Sequence, residues 1–301
     1  MEIFINQILA HKEAAALPHL LESGELPALI SGLAPVHRAN LAAALKVRLE
    51  MPLFVICPDD TAAESFAMDL RAMLGKEVNT LLMRDFYFHN TEAVSRGAEQ
   101  KRISTLYKSA RGESDITVAS ISGMMQRTMP PAILLHAAYE IEDGGSHPPE
   151  EVEQALINCG YSRTEQVEGP GQFARRGGIL DFFSPGDTAP VRIEFWGDDI
   201  DSMSRFDIAS QRRTDHLERC TILPAMESLP KLSPGGIGAL CREIERFAAN
   251  YAKKRSSESA ATLAANLRAD AERIAEGVTL NDCDRYLPVL YPEACGMDYI
   301  P

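Results

Sequence analysis

The segment Val191-Arg192-Ile193-Glu194-Phe195-Trp196 alternates without a break, and only an extended strand with one buried face satisfies it. Val191, Ile193 and Phe195 fall on one face, while Arg192, Glu194 and Trp196, the only tryptophan in the chain, fall on the other. Turn signals at Pro170-Gly171, Pro185-Gly186 and Gly197-Asp198 bracket further short runs, so the strand belongs to an antiparallel sheet with one face exposed. An exposed Trp beside an Arg is costly on a bare surface, yet these two residue types dominate protein interfaces. Arg192 and Trp196, four positions and roughly 13 Å apart with Glu194 between them, therefore form a candidate docking row. The competing reading pairs Arg192 and Glu194 with neighbouring strands and places Trp196 under a helix over 149–159.

Around this sheet the chain divides into three regions. Residues 1–136 alternate apolar runs, around Leu29 and at 52–58, 79–83 and 115–121, with helical stretches at 39–50, 61–74 and 97–110. That alternation predicts a parallel sheet covered on both faces, in a Rossmann-like or RecA-like layer arrangement. Residues 137–223 hold the helix and the antiparallel sheet, entered through the turn-forming run Asp143-Gly144-Gly145-Ser146-His147-Pro148-Pro149. Residues 224–301 carry helical patterns over 237–255 and 257–276, then an apolar ending at which no folding unit closes, which suggests a fragment of a longer protein. The expected fold is thus α/β: a degenerate RecA-like parallel-sheet domain interrupted by a smaller α+β domain with an antiparallel sheet.

A net charge of −13 argues against a general nucleic-acid binder, because phosphate neutralisation requires clustered Lys and Arg. No apolar run is long enough to span a bilayer, and the first twenty residues read as an amphipathic helix rather than an export signal, so a cytoplasmic location is expected. Six cysteines without a CxxC pair indicate neither a disulfide framework nor a zinc site. Glu194, Asp198, Asp199 and Asp201 could suggest a metal or acid–base site, but Gly197-Asp198-Asp199 reads as a hairpin turn. No nucleophile elbow or His-ligand spacing occurs, and no metal or cofactor is implied.

Where a nucleotide-binding domain of this layout would carry GxxxxGK[ST], the chain reads Gly32-Leu33-Ala34-Pro35-Val36-His37-Arg38-Ala39. Gly32 alone fits. His37 puts a side chain where backbone must approach phosphate, Pro35 removes a donor, and Ala39 cannot ligate magnesium. Arg38 retains a positive charge at a helix start, where weak anion binding is conceivable; otherwise this is an ordinary strand-to-helix turn.

The stretches GQFARRGGILDFFSPGD (171–187), PVRIEFWGDDIDSMSRFD (190–207) and SQRR (210–213) resemble domain 2 of the excision-repair protein UvrB and of the Mfd family of bacterial transcription-repair coupling factors. The degenerate phosphate loop favours the Mfd family, since UvrB keeps that loop intact. UvrB also inserts a long hairpin, for which the passage from Asp85-Phe86-Tyr87-Phe88-His89 to the helix containing Glu99 leaves no room. The resemblance covers nearly the whole chain and implies domain 1a over 1–136, domain 2 over 137–223 and part of domain 1b over 224–301, the last returning to pack on the first. It implies UvrA as the partner, with Arg176, Arg192 and Trp196 at the contact; Trp196 stands where the family usually has Phe. Arg175 and Glu194 are further candidates, although adjacent arginines in a strand point to opposite faces, so one of the pair Arg175 and Arg176 could serve the core-side helix. In such a family, RNA polymerase and double-stranded DNA are contacted by other parts of the full-length protein, an ATP-driven translocase, and contacts within the intact protein can mask the UvrA surface.

Two classes of function follow. One is a non-catalytic adaptor that presents Arg176, Arg192 and Trp196 to UvrA. The other is a divergent nucleotide-binding or DNA-processing module that uses Arg38 and the first sheet.

Overall fold

The computed structural model describes residues 7–12, 14–24, 27–84, 97–254, 257–278, 280 and 283–300. The chain forms two compact units, one of residues 1–83, 108–126 and 300–301, the other of residues 84–107 and 127–299. No helix among the described residues is long and apolar enough to cross a membrane.

In the first unit, strands β1 (Leu53–Cys57), β2 (Asn79–Leu81) and β3 (Ile116–Ser120) make a parallel sheet in the order β1-β3-β2. Helices α1 (Pro35–Leu49) and α2 (Asp60–Leu74) pack small residues on it, with Ala43, Ala63, Ala67 and Leu70 meeting Val78, Ile116 and Val118. Asp59 caps α2 by accepting from Ala62 N at 2.8 Å, the expected use of a short acidic side chain at that position. The runs at 52–58, 79–83 and 115–121 are the strands expected of them. The run around Leu29 is not: residues 28–31 pair with no strand among the described residues, and Leu29 is 95% exposed. Apolar content marks a buried strand only where a sheet edge receives it, and here neither β1 nor β2 does. Residues 1–6, 13 and 85–96, the last being most of the segment expected to leave no room for a hairpin, lie outside the described residues.

In the second unit, β5 (Ser162–Arg163), β6 (Gln172–Arg176), β7 (Ile179–Phe182), β8 (Val191–Trp196), β9 (Asp199–Phe206) and β10 (Arg213–His216) form a sheet in the order β10-β9-β8-β7-β6-β5. All its pairs are antiparallel except β5 with β6. Its core face carries Phe173, Leu180, Phe182, Val191, Ile193 and Met203, closed by Val152 and Leu156 of helix α4 (Pro149–Asn158), and a two-stranded ladder of β4 (Tyr139–Glu142) with β11 (Arg219–Ile222) completes the cluster. Helices α5 (Gly236–Lys254) and α6 (Glu258–Ala275) are those expected from the patterns over 237–255 and 257–276, and they pack against each other. The same unit buries a charge cluster, to which helix α3 (Gly97–Ala110) contributes Glu99 and Arg102. Arg84 Nη1 lies 3.8 Å from Glu99 Oε1, 3.5 Å from Glu227 Oε1 and 4.0 Å from Asp284 Oδ1, and Arg102 Nε lies 3.0 Å from Glu227 Oε1. Burial, and after it the charge of Asp284, push the Glu99 carboxyl up to about 8, against the pull of Arg84.

Val191 is buried at the centre of the core face. Val191→Asp is expected to cost about 3 kcal/mol or more, because an unpaired carboxylate replaces packed hydrocarbon, and chemical denaturation would register it as a lost or strongly shifted transition. Glu99 sets a pH dependence of defined sign. Its folded pKa lies above the unfolded value of about 4.3, so its contribution is complete below that pH and is lost as pH rises toward 8. The unfolding midpoint of Glu99→Gln should fall less between pH 5 and 8 than that of the wild type; equal slopes would refute the assignment.

Candidate partner-binding site

The face of the second sheet opposite α4 is where the singled-out residues gather. Pairing across the strands sets two rows on it: Ala174, Asp181, Arg192 and Ser204 in one, and Arg176, Ile179, Glu194 and Ser202 in the next. Trp196 continues the second side toward the β8–β9 turn, paired with Asp199 after a register shift between Glu194 and Phe195. Trp196 is 82% exposed, so it does not lie under α4 as the competing reading required.

Arg192 lies on the expected face opposite α4 but departs from the expected exposure, being paired with a neighbouring strand as the competing reading has it. Its side chain is only 13% exposed, and Nε and Nη2 donate to the two oxygens of Asp181 at 2.7 and 2.9 Å. Nη1 donates to the Gln211 carbonyl at 3.2 Å, and the guanidinium lies 4.5 Å from the centre of the Phe206 ring. The hydrogen bonds to Asp181 push the Arg192 pKa up, against its burial. The reason for the departure lies in a residue that strand alternation hides: Asp181, within the apolar run Ile179-Leu180-Asp181-Phe182-Phe183, is 1% exposed and needs a charged partner. An aspartate inside such a run was the available signal. Gln211, the other half of the clamp, sits at φ 59° in the loop closing β9 to β10, with its N–H on the Asp207 carbonyl at 2.8 Å. That left-handed backbone is uncommon for a residue with a side chain, and the sequence gives no direct sign of it.

Arg176 is the more accessible guanidinium, 53% exposed, with Nη2 donating to Asp181 Oδ2 at 2.9 Å. Gly177 follows at φ 61°, which turns β6 into β7 and sets Arg176 at the open end of the sheet. Arg175 points to the other face. It donates to Glu150 and Glu153 of α4 at 2.6 and 2.9 Å, and these bonds hold its pKa up and that of Glu150 down. Glu194 pairs with Arg213 and accepts from Ser202 Oγ at 3.3 Å. Arg213, in the SQRR run, therefore joins Arg176, Glu194 and Trp196 at the rim of the patch. One end of this face is closed by Val167, Ala174, Phe183 and Phe206, so the opening is confined to the other.

The phosphate-loop register lies in the first unit and is arranged differently. Gly32 takes φ 81°, and α1 begins at Pro35 with Ala34 as its cap and no side-chain cap bond. Arg38 Nε donates back to the Leu33 carbonyl at 3.1 Å, the His37 N–H goes to the Ala34 carbonyl at 2.9 Å, and the Ala39 methyl is fully buried. No group of three or more His, Cys, Asp or Glu among the described residues could hold a metal ion. Five cysteines are buried and Cys295 partly so, all of them free; burial pushes Cys159 and Cys220 up to about 12.

Residues 139–227, from the two-stranded ladder through the whole six-stranded sheet, match the family described as UvrB interaction domain. Over longer spans the chain is similar to proteins named transcription-repair-coupling factor. It is 26% identical to that of Bacillus subtilis over 93% of this chain, 28% identical to that of Mycobacterium tuberculosis over 93%, and 31% identical to that of Myxococcus xanthus over 66%. It spans 24%, 22% and 17% of the length of those relatives. With that domain in its middle and relatives of one kind along most of its length, the chain is similar to a UvrB-like module of the transcription-repair-coupling factors.

Proposed function

We propose that this chain is a non-catalytic adaptor whose UvrB interaction domain binds UvrA, so that a transcription-repair coupling factor brings excision repair to stalled RNA polymerase. The observation that carries this reading is the 82% exposed Trp196 beside the half-exposed Arg176, an aromatic plate and a fork donor on the matched domain. Arg176 and Trp196 make the principal contacts, Glu194 and the edge of Arg192 stand beside them, and Arg175 supports the sheet from its helix face. RNA polymerase and double-stranded DNA are partners of the longer protein through other segments, where an ATP-driven translocase resides, and the setting is cytoplasmic. The division into domain 1a, domain 2 and part of domain 1b at 136 and 223 belongs to the same proposal.

The absence of catalysis in this segment is part of the reading. Support comes from Ala39, buried where a magnesium-binding hydroxyl would stand, and from Arg38, bonded back to its own turn. The alternative, residual nucleotide or DNA processing, requires Arg38 to be released. Purified chain should retain UvrA in a pull-down while binding neither labelled ATP nor DNA; ATP turnover that disappears in Arg38→Ala would overturn the adaptor reading.

Trp196→Ala is expected to weaken UvrA binding by about 2 kcal/mol with an unchanged melting temperature, since the ring makes little packing to lose. Arg192→Ala should differ in kind. It leaves the buried Asp181 with a single donor, so a stability loss of about 2–4 kcal/mol accompanies any loss of binding, measurable by denaturant titration alongside the affinity.

A further inference from the structure

We propose that Asp181 is a positioning residue for partner binding: its buried carboxylate, itself clamped by Arg192, holds the Arg176 guanidinium in the orientation in which it meets UvrA. This rests on the reading of the matched domain as a UvrA-binding surface.

The geometry is specific to the strand register. Asp181 on β7 pairs with Arg192 across β8 and with Ala174 across β6. Because position 174 carries only a methyl, Arg176, two residues further along the same face, can reach back diagonally over it to Asp181 Oδ2. The two carboxylate oxygens thus take three N–H donors, at 2.7, 2.9 and 2.9 Å, from arginines on both flanking strands. Arg192 spends further donors on the carbonyl and side-chain oxygen of Gln211 at 3.2 and 3.3 Å, which fixes the clamp from the β9–β10 loop. Arg176 has this one described hydrogen bond and is otherwise open to solvent.

An exposed arginine on a free stem samples many rotamers and must surrender them when it binds. Tethered by one fork tip, Arg176 has surrendered much of that freedom in the unbound protein, while its remaining donors stay available to a carboxylate or carbonyl of the partner.

The test is a double-mutant cycle on the whole chain, titrated with purified UvrA, using wild type, Arg176→Ala, Asp181→Asn and the double variant. Asp181→Asn is expected to weaken binding about tenfold, and to cost no more than about twofold once Arg176 is already alanine, because the residue acts through that guanidinium. Full additivity would mean that Asp181 serves stability alone and would overturn the proposal. Should Asp181→Asn fail to fold, nitrogen-15 relaxation of the Arg176 Nε–H in the wild type decides: restricted motion supports the clamp, and motion as free as that of an arginine in an unfolded peptide overturns it. A wild-type chain that folds but ignores UvrA would instead refute the functional reading on which the proposal stands.

Discussion

A carboxylate enclosed within a β-sheet constrains everything around it, and Asp181 is that group in this protein. Taking it out of water costs several kcal/mol, which only close, well-directed cationic donors offset. Arg192 and Arg176 supply them from the strands on either side. The pairing cannot then slip: moving β8 by one residue would turn Arg192 to the core face, bring Val191 out, and strand the charge. Polar register and apolar register agree, so the core of Phe173, Phe182 and Ile193 and the opposite face are specified together.

The interaction also determines which side chains remain for a partner. The face that bears the arginines is closed at one end by Val167, Phe183 and Phe206 and open at the other, where Trp196, Arg176 and the Glu194–Arg213 pair lie. The exposed indole is thus flanked by charged groups whose positions are already fixed. Such an arrangement favours specificity, since a partner must match a set geometry rather than mould a mobile one.

Much of this was legible in the residues. The alternation from Val191 to Trp196 gave the strand, its faces and the exposure of the tryptophan; the turn dipeptides gave the hairpin at Gly197-Asp198; the apolar runs gave three parallel strands of the first unit. Two features escaped for physical reasons. Strand period separates the two faces but does not tell which polar residue has a buried partner, so Arg192 read as an exposed docking residue although Asp181, eleven residues away, pairs with it on the same face. Conversely, the run around Leu29 has the composition of a strand but no partner edge among the described residues, and strand formation depends on pairing that local sequence does not contain.

The buried charge cluster bears on where a self-sufficient fragment can be cut. The matched segment ends at Glu227, whose carboxylate is 1% exposed and is met by Arg102 and Arg84, both of which precede that segment by dozens of residues. Excising 139–227 alone would therefore retain the anion and discard its counter-charges. A minimal autonomous piece must either begin before Arg84 or stop short of Glu227.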